Sequence, residues 1–353
     1  MFVDDQIREK FNFSGLATFY QSVSYYLINQ RSIEQITTNE KIVLEDQQWF
    51  AAVGRFMVLL VSAPSLTLRV IEGQLQLDPP LSVNLDNVRA RIIFKNQLTL
   101  FTSSPGISVS GLSPPLPFDQ LRYSHLWAPF AWLSKVIEAT LVGIQAHLVS
   151  NWGWAIVLLS LFIKVLLLPV SIKTVELQRQ VSKIQAQLAP KLATIKAEFS
   201  GEDAHNRLMA AHSNIGVSPF YALKPISGSL IQIPVLIAVF NALAEMPQLD
   251  GQAFFWISDL AYPDVIIVLN QALPFLGSNV NLLPLLMTLV TVLATALFSN
   301  RYATVSEVRR QKRNLYLMAA AFLVVFYSFP AAMVLYWLST NIFHTFQQHW
   351  LKI

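Results

Sequence analysis

The hydrophobic pattern along the chain changes character near residue 120. Before that point, apolar positions come in short runs. Residues 66–71, 81–85, 88–94 and 97–101 carry Val, Ile, Leu, Thr and Phe, separated by Gly73, Pro79, Pro80, Pro105 and Gly106. Runs of this length between turn formers predict several short antiparallel strands. The most apolar stretch of this half, 51–63, is interrupted by Arg55. It falls short of the ~20 apolar residues that a membrane span needs, and it reads as a buried strand pair. Pro114, Pro115 and Pro117 mark a linker.

Beyond the linker the apolar runs lengthen. Residues 126–149 are apolar but carry Lys135, Glu138 and His147, with Trp127 and Trp132 near the start. This pattern predicts a helix lying at a membrane interface, with an ordinary amphipathic helix of the preceding domain as the alternative. Residues 152–172, 226–246, 282–299, 315–329 and 331–346 read as five spans, the last two joined by a tight turn at Pro330. The shorter run 264–276 contains Asn270 and Pro274 and reads as a re-entrant or interfacial piece. Residues 173–199 are too polar for lipid, yet Leu177, Val181, Ile184, Leu188, Leu192, Ile195 and Phe199 recur at steps of three and four. That spacing predicts one apolar helical face. Residues 200–203 break it, and Asp203 can cap a second helix running to Ser213. The two helices form an antiparallel hairpin, either a coiled-coil strut with a solvated basic face or a docking arm.

Composition places this pattern in a membrane. Of 353 residues, 54% are hydrophobic and 13% charged, and the mean hydropathy is +0.46. Soluble domains carry about 25% charged residues. The positions of the charges then orient the spans. Residues 173–224 hold seven basic side chains (Lys173, Arg179, Lys183, Lys191, Lys196, Arg207 and Lys224), and 300–313 hold five. Residues 247–281 hold none and carry Asp250, Asp259 and Asp264. The positive-inside rule makes the first two segments cytoplasmic and the third external. Five crossings then place residues 1–150 outside and Ile353 inside. The first 13 residues lack the basic-then-apolar order of a signal peptide. There is no cysteine, so disulfides and thiolate metal sites are excluded.

Polar groups inside the spans are the candidate chemistry. Lys164 lies past the middle of the first span, with Ser160 one turn earlier on the same face. A lysine at a helix centre costs about 2.5–3.5 kcal/mol on insertion scales, which makes it a functional candidate. The alternative is that it snorkels to the cytoplasmic head groups. Thr288, Thr291, Thr295 and Ser299 share a face of the third span, and Tyr336, Thr340, His344 and Gln347 share one of the fifth. Gln232 lies in the second, and Asn241 points roughly the opposite way. Together they predict a wet cavity among the helices, lined by Ser160, Gln232, Thr291, Thr295, Tyr336 and Thr340. No metal-ligand pattern, paired carboxylate or phosphate loop occurs in the spans, so no enzyme is expected.

Five stretches carry a family resemblance: NWGWAIVLLSLFIKVLLLPV (151–170), LAPKLATIKAEF (188–199), SLIQIPVLIAVFNAL (229–243), FFWISDLAYPD (254–264) and FPAAMVLYWLSTNIFHTFQQ (329–348). In that order they resemble the YidC-type insertases, the family shared with the mitochondrial oxidase-assembly and chloroplast Albino insertases. The resemblance covers residues from about 120 to 350, and 49–120 look like the last part of that family's outer β-sandwich. It implies an α-helical polytopic membrane protein of the bacterial inner membrane. Residues 1–120 would be a partial extracytoplasmic β-rich domain, 121–150 an interfacial helix, and 151–350 a five-span core. Within the core, 173–224 would form a cytoplasmic hairpin and 300–313 a basic cytoplasmic loop.

The implied activity is insertion and folding of membrane proteins through a hydrophilic groove open to cytoplasm and lipid, with Lys164 as its charge. A client's span would contact Ile233, Tyr336 and Trp337. Arg179, Lys183, Lys191 and Lys196 would be the docking residues of the hairpin. Implied partners are newly made membrane proteins, the Sec translocon, the ribosome and lipids, with no nucleic-acid specificity, cofactor or metal. The family's groove charge is usually arginine, so Lys164 keeps the charge without the bidentate fork. Gram-negative members also begin with an extra span, which this sequence lacks, so its N-terminal part reads as truncated or divergent. The rival readings are a small-solute transporter or channel, which predicts internal repeats and broken spans, and a membrane scaffold.

Overall fold

The computed structural model describes residues 23–29, 32–36, 41–44, 48–62, 67–71, 74–78, 89–94, 121, 123, 126–218, 220–221, 226–273, 277–297 and 305–350. The first part is a β-domain of eight described strands: β1 (Ser24–Ile28), β2 (Ile33–Ile36), β3 (Lys41–Val43), β4 (Trp49–Val53), β5 (Met57–Ser62), β6 (Thr67–Ile71), β7 (Gln74–Asp78) and β8 (Arg89–Phe94). They form antiparallel sheets of order β2-β1-β4-β5-β8 and β3-β6-β7. The strand pair expected at 51–63 is the β4–β5 hairpin, with Phe50 opposite Val61 and Val53 opposite Val58. The runs 66–71 and 88–94 form β6 and β8, while 81–85 and 97–101 lie outside the described residues.

Neighbouring residues of the central strands feed two cores. Tyr26, Trp49, Ala51 and Leu60 pack on one face with Leu121. Tyr25, Phe50 and Val61 pack on the other with Ile42 and Leu44. A strand buried on both faces reads as a continuous apolar run, which is why β4 and β5 lack polar alternation.

Eight α-helices, a short 3-10 helix (Pro247–Leu249) and one antiparallel strand pair are the regular elements of the described remainder: α1 (Ala128–His147), α2 (Trp152–Leu166), α3 (Leu168–Glu198), α4 (Gly201–Ser213), α5 (Ile226–Glu245), β9 (Val265–Leu273), β10 (Gly277–Asn281), α6 (Leu282–Leu297), α7 (Val305–Phe326) and α8 (Ala331–Trp350). Ile156 and Leu159 of α2, Ala238 and Ala242 of α5, Met287 of α6 and Met333 of α8 share one buried core. One face of α1 joins it through Ile137 and Leu141, while Trp127 and Trp132 stay exposed.

Four elements differ from the sequence expectation. The run 152–172 is not one helix: α2 stops at Leu166, and α3 leaves it at a bend of 58°. Pro169 accounts for this, because it has no N–H for the carbonyl four residues earlier but is tolerated in the first turn of a new helix. Among the described residues, no single helix is long and apolar enough to cross a membrane, although α2 and α3 together are. The run 264–276 gives the β9–β10 hairpin, since its Val265-Ile266-Ile267-Val268 start favours a strand. The basic segment 300–313 is helical from Val305, as the start of α7. Asp203 lies in the first turn of α4 rather than capping it; Ser200 holds the cap position.

The two parts meet where the β4–β5 turn enters the helical core. Phe56 joins that core, and Arg55 Nε donates to the Ala244 carbonyl near the end of α5. Its guanidinium lies 4.4 Å from the centre of the Phe56 ring. A cation at a helix C-terminus complements the partial negative charge of the terminal carbonyls.

The loop between α5 and α6 seals this end of the bundle by capping helices. Ala331 N donates to Tyr262 O (2.8 Å) and Ala332 N to Leu260 O (2.9 Å), which satisfies two of the donors left open at the start of α8. Asn151 accepts from Gly153 N (2.8 Å) and donates to Ala253 O (3.1 Å). Gly153 has to be glycine, because a Cβ there would fall on the Phe254 ring. Buried Asp264 accepts from Leu283 N (2.6 Å) and Trp256 Nε1 (3.2 Å), fixing the start of α6. Burial pushes its carboxyl above the ordinary range, against the opposing pull of those donors.

Asp264→Ala removes this cap and is expected to cost ~1–2 kcal/mol. Asp264→Asn keeps an acceptor for Leu283 and removes a buried charge. Because folding raises this carboxyl's pKa, its contribution is fully present below the unfolded value and is lost as pH rises through the folded one. The Asn variant should therefore gain on the wild type from acid toward neutral pH. Thermal unfolding in detergent across that range checks both variants.

Candidate functional site

The polar groups of the bundle gather at the end away from the β-domain, where α3, α6, α7 and α8 leave a cavity of 610 Å³. Its walls mix apolar and hydrogen-bonding side chains: Val181, Ala294, Leu315 and Met318 stand among Gln178, Ser182 and Gln185 from α3, Thr291 and Thr295 from α6, Gln311 and Asn314 from α7, and Asn341, His344 and Thr345 from α8. The threonines of α6 are back-bonded to their own helix, Thr291 to Met287 O (2.9 Å) and Thr295 to Thr291 O (2.8 Å). Thr291 also accepts from Asn341 Nδ2 (3.3 Å), which ties α6 to α8 across the cavity. Lys312 Nζ donates to Ala296 O (2.8 Å), satisfying a carbonyl in the last turn of α6.

Lys164 is the charge beside this cavity. It occupies the last turn of α2, is half-buried, and donates from Nζ to Nδ1 of His344 at 3.2 Å. His344 lines the cavity, so the ammonium is held at its edge rather than extended along α2. Ser160, one turn back, is buried and donates to Val157 O (2.7 Å).

The structure brings together some of the expected residues and separates others. Thr291 and Thr295 line the cavity. Tyr336 is buried in the apolar core beside Phe240, with ring centres 6.3 Å apart, and Thr340 is half-buried one turn further along α8. Gln232 and Ile233 are exposed on α5, away from the cavity lining. Trp337 is half-buried against Phe322 and Phe326. On the hairpin, Lys183, Lys191 and Lys196 are exposed and Arg179 half-buried. The opposite hairpin face is apolar, with Val181 and Leu188 packed against Tyr221. Sequence reasoning missed the α3 wall and the role of His344. Gln178, Ser182 and Gln185 recur at steps of four and three, a polar stripe beside the apolar one, and that spacing was a usable signal.

A lysine of the helical bundle thus stands beside a cavity whose α3 wall belongs to the basic hairpin. The family model for the 60Kd inner membrane protein matches residues 144–353, and the chain belongs to that family of inner membrane proteins. Among curated relatives, the membrane protein insertase YidC of Amoebophilus asiaticus is 33% identical over 230 residues, 64% of this chain and 37% of that protein. The YidC of Leptospira interrogans is 30% identical over 205 residues, 57% of this chain and 31% of the relative. That of Chlamydia muridarum is 30% identical over 232 residues, 64% and 28%. The chain spans about a third of the length of the curated relatives it matches. A crystal structure of an active YidC insertase with its first transmembrane domain resolved covers 94% of this chain and 71% of that one, at 17% identity and a TM-score of 0.43.

The absence of native cysteine makes single-cysteine labelling clean. Cysteines placed at Gln185 and Thr345, on the cavity wall, should react fast with a water-soluble maleimide in lipid vesicles. Cysteines at Ile156 and Leu159, in the buried core, should stay unreactive. Mass spectrometry of the time course reads the difference.

Proposed function

We propose that this chain inserts newly made membrane proteins into the bacterial inner membrane and helps them fold there, using the cavity beside Lys164 as a groove for the polar tail of the client. The observation that carries this reading is a lysine ammonium at the edge of a 610 Å³ cavity, lined by amide and hydroxyl side chains among apolar ones, inside an apolar bundle of the 60Kd family. A tail entering such a groove crosses only part of the ~30 Å hydrocarbon layer, which lowers the barrier to moving its polar groups. The fixed cation attracts acidic tails, and its attraction is stronger in a low-dielectric bundle than in bulk water.

In this reading α2, α5, α6, α7 and α8 cross the membrane as a packed group. The basic hairpin and the start of α7 face the cytoplasm, and the β-domain lies outside, as the distribution of Lys and Arg supports. With 15 residues, α2 is about 22 Å long at 1.5 Å per residue before the bend into α3. A span this short is accommodated by thinning the surrounding bilayer, which lowers the client's barrier further. The client's apolar span would leave along exposed apolar surface, where Leu230, Ile233 and Ile237 form a stripe on α5. The exposed lysines of α3 would receive the ribosome, the Sec translocon or lipid head groups.

Reconstituted vesicles and single-span clients test this. Lys164→Ala should slow insertion of acidic-tailed clients by about tenfold or more, equivalent to ~1.4 kcal/mol of lost attraction. Lys164→Arg should retain it. Unchanged insertion of several acidic-tailed clients by the Ala variant would exclude the groove mechanism.

A further inference from the structure

We propose that His344 is the positioning residue of the Lys164 ammonium, an inference that rests on the groove reading above. Lysine offers three donors and no acceptor on a flexible stem, so it has no fixed geometry of its own. Left without an acceptor, that stem would carry the charge toward the polar end of α2, where Lys173 marks the start of the basic arm. The acceptor is supplied from another helix. Nδ1 of His344, on α8, lies 3.2 Å from Lys164 Nζ. The α2 and α8 helices pack against each other through Ile156, Leu159 and Met333, so the two residues are presented by rigid elements rather than loops.

The chemistry fixes the roles. An ammonium can only donate, so Nδ1 accepts, and a neutral imidazole with this acceptor carries its proton on Nε2. His344 lines the cavity and Lys164 does not, so the hydrogen bond turns the charge sideways from its own helix to the cavity edge. Two ammonium protons remain for an incoming carboxylate. The lysine and histidine thus act as a unit, in which one supplies the charge and the other its place. His344 is solvent-exposed by residue area and lines the cavity.

The test compares two nearly isosteric replacements. His344→Asn puts a carbonyl oxygen close to where Nδ1 lies, whereas His344→Leu keeps the bulk and removes the acceptor. The readout is insertion by the full chain in vesicles, using one single-span client with an aspartate-containing tail and the same client with those residues changed to asparagine. The Asn variant should insert the acidic tail within about twofold of wild type, and the Leu variant about tenfold more slowly, the scale of one hydrogen bond to a charged group. The difference between the Leu and Asn variants should be smaller for the neutral tail than for the acidic one, because only the acidic tail depends on where the charge is held. Adding His344→Leu to Lys164→Ala should cost nothing further, because the two residues act on one charge.

Equal rates for the Asn and Leu variants, with Lys164→Ala still slow, would overturn the positioning role and leave the groove reading standing. An unaffected Lys164→Ala would overturn both. If the Leu variant fails to assemble, His344→Ala takes its place in the same comparison with Asn.

Discussion

A lysine ammonium held among apolar helices is the constraint around which the rest of this molecule is arranged. A charge in that setting is expensive unless water or hydrogen bonds surround it. The fold meets that requirement by bringing amide and hydroxyl side chains of α3, α6, α7 and α8 into one partly apolar cavity and by setting His344 against Lys164. The same chain packs Ile156, Leu159, Ala238, Ala242 and Met333 into a dry core nearer the β-domain. The bundle is therefore polarised along its length, with polar side chains lining the cavity at the hairpin end and capped helix ends at the other.

The seal is a set of specific caps. Loop carbonyls from Leu260 and Tyr262 satisfy the start of α8, Asn151 caps α2, and Asp264 holds the start of α6. Each cap closes a helix end whose backbone donors would otherwise need water. Arg55 extends this closure into the β-domain by reaching the last turn of α5. In the proposed function, a groove closed at one end and open at the other would move a short polar tail without opening a pore. The capped loop and the cavity lie where the sequence places its capping residues and its glutamines.

Much of this was legible in the sequence because long apolar runs and helical stripes are strong signals. The β4–β5 pair, α1, α5, α6 and α8 follow from the length and composition of apolar runs, and the hairpin stripe through Val181 and Leu188 from periodicity. The break between α2 and α3 was written in Pro169, but the apolar run continuing through it concealed the bend. The β9–β10 pairing was hidden because a short apolar run reads as a re-entrant or interfacial piece without fixing strand or helix. At the site, Lys164 was conspicuous as a lone charge, and Thr291 and Thr295 as a stripe. His344 was not, because its meaning lies in a contact across 180 residues of sequence that only the packing of α8 on α2 creates.

The most direct test of the account is the position of that ammonium in a bilayer. A structure of the chain in a lipid nanodisc, at a resolution that shows ordered water, should find Lys164 turned to His344. Water should fill the space between Thr291, Thr295 and Asn341. Lys164 extended into lipid, with α6 and α8 closed dry behind it, would contradict the account.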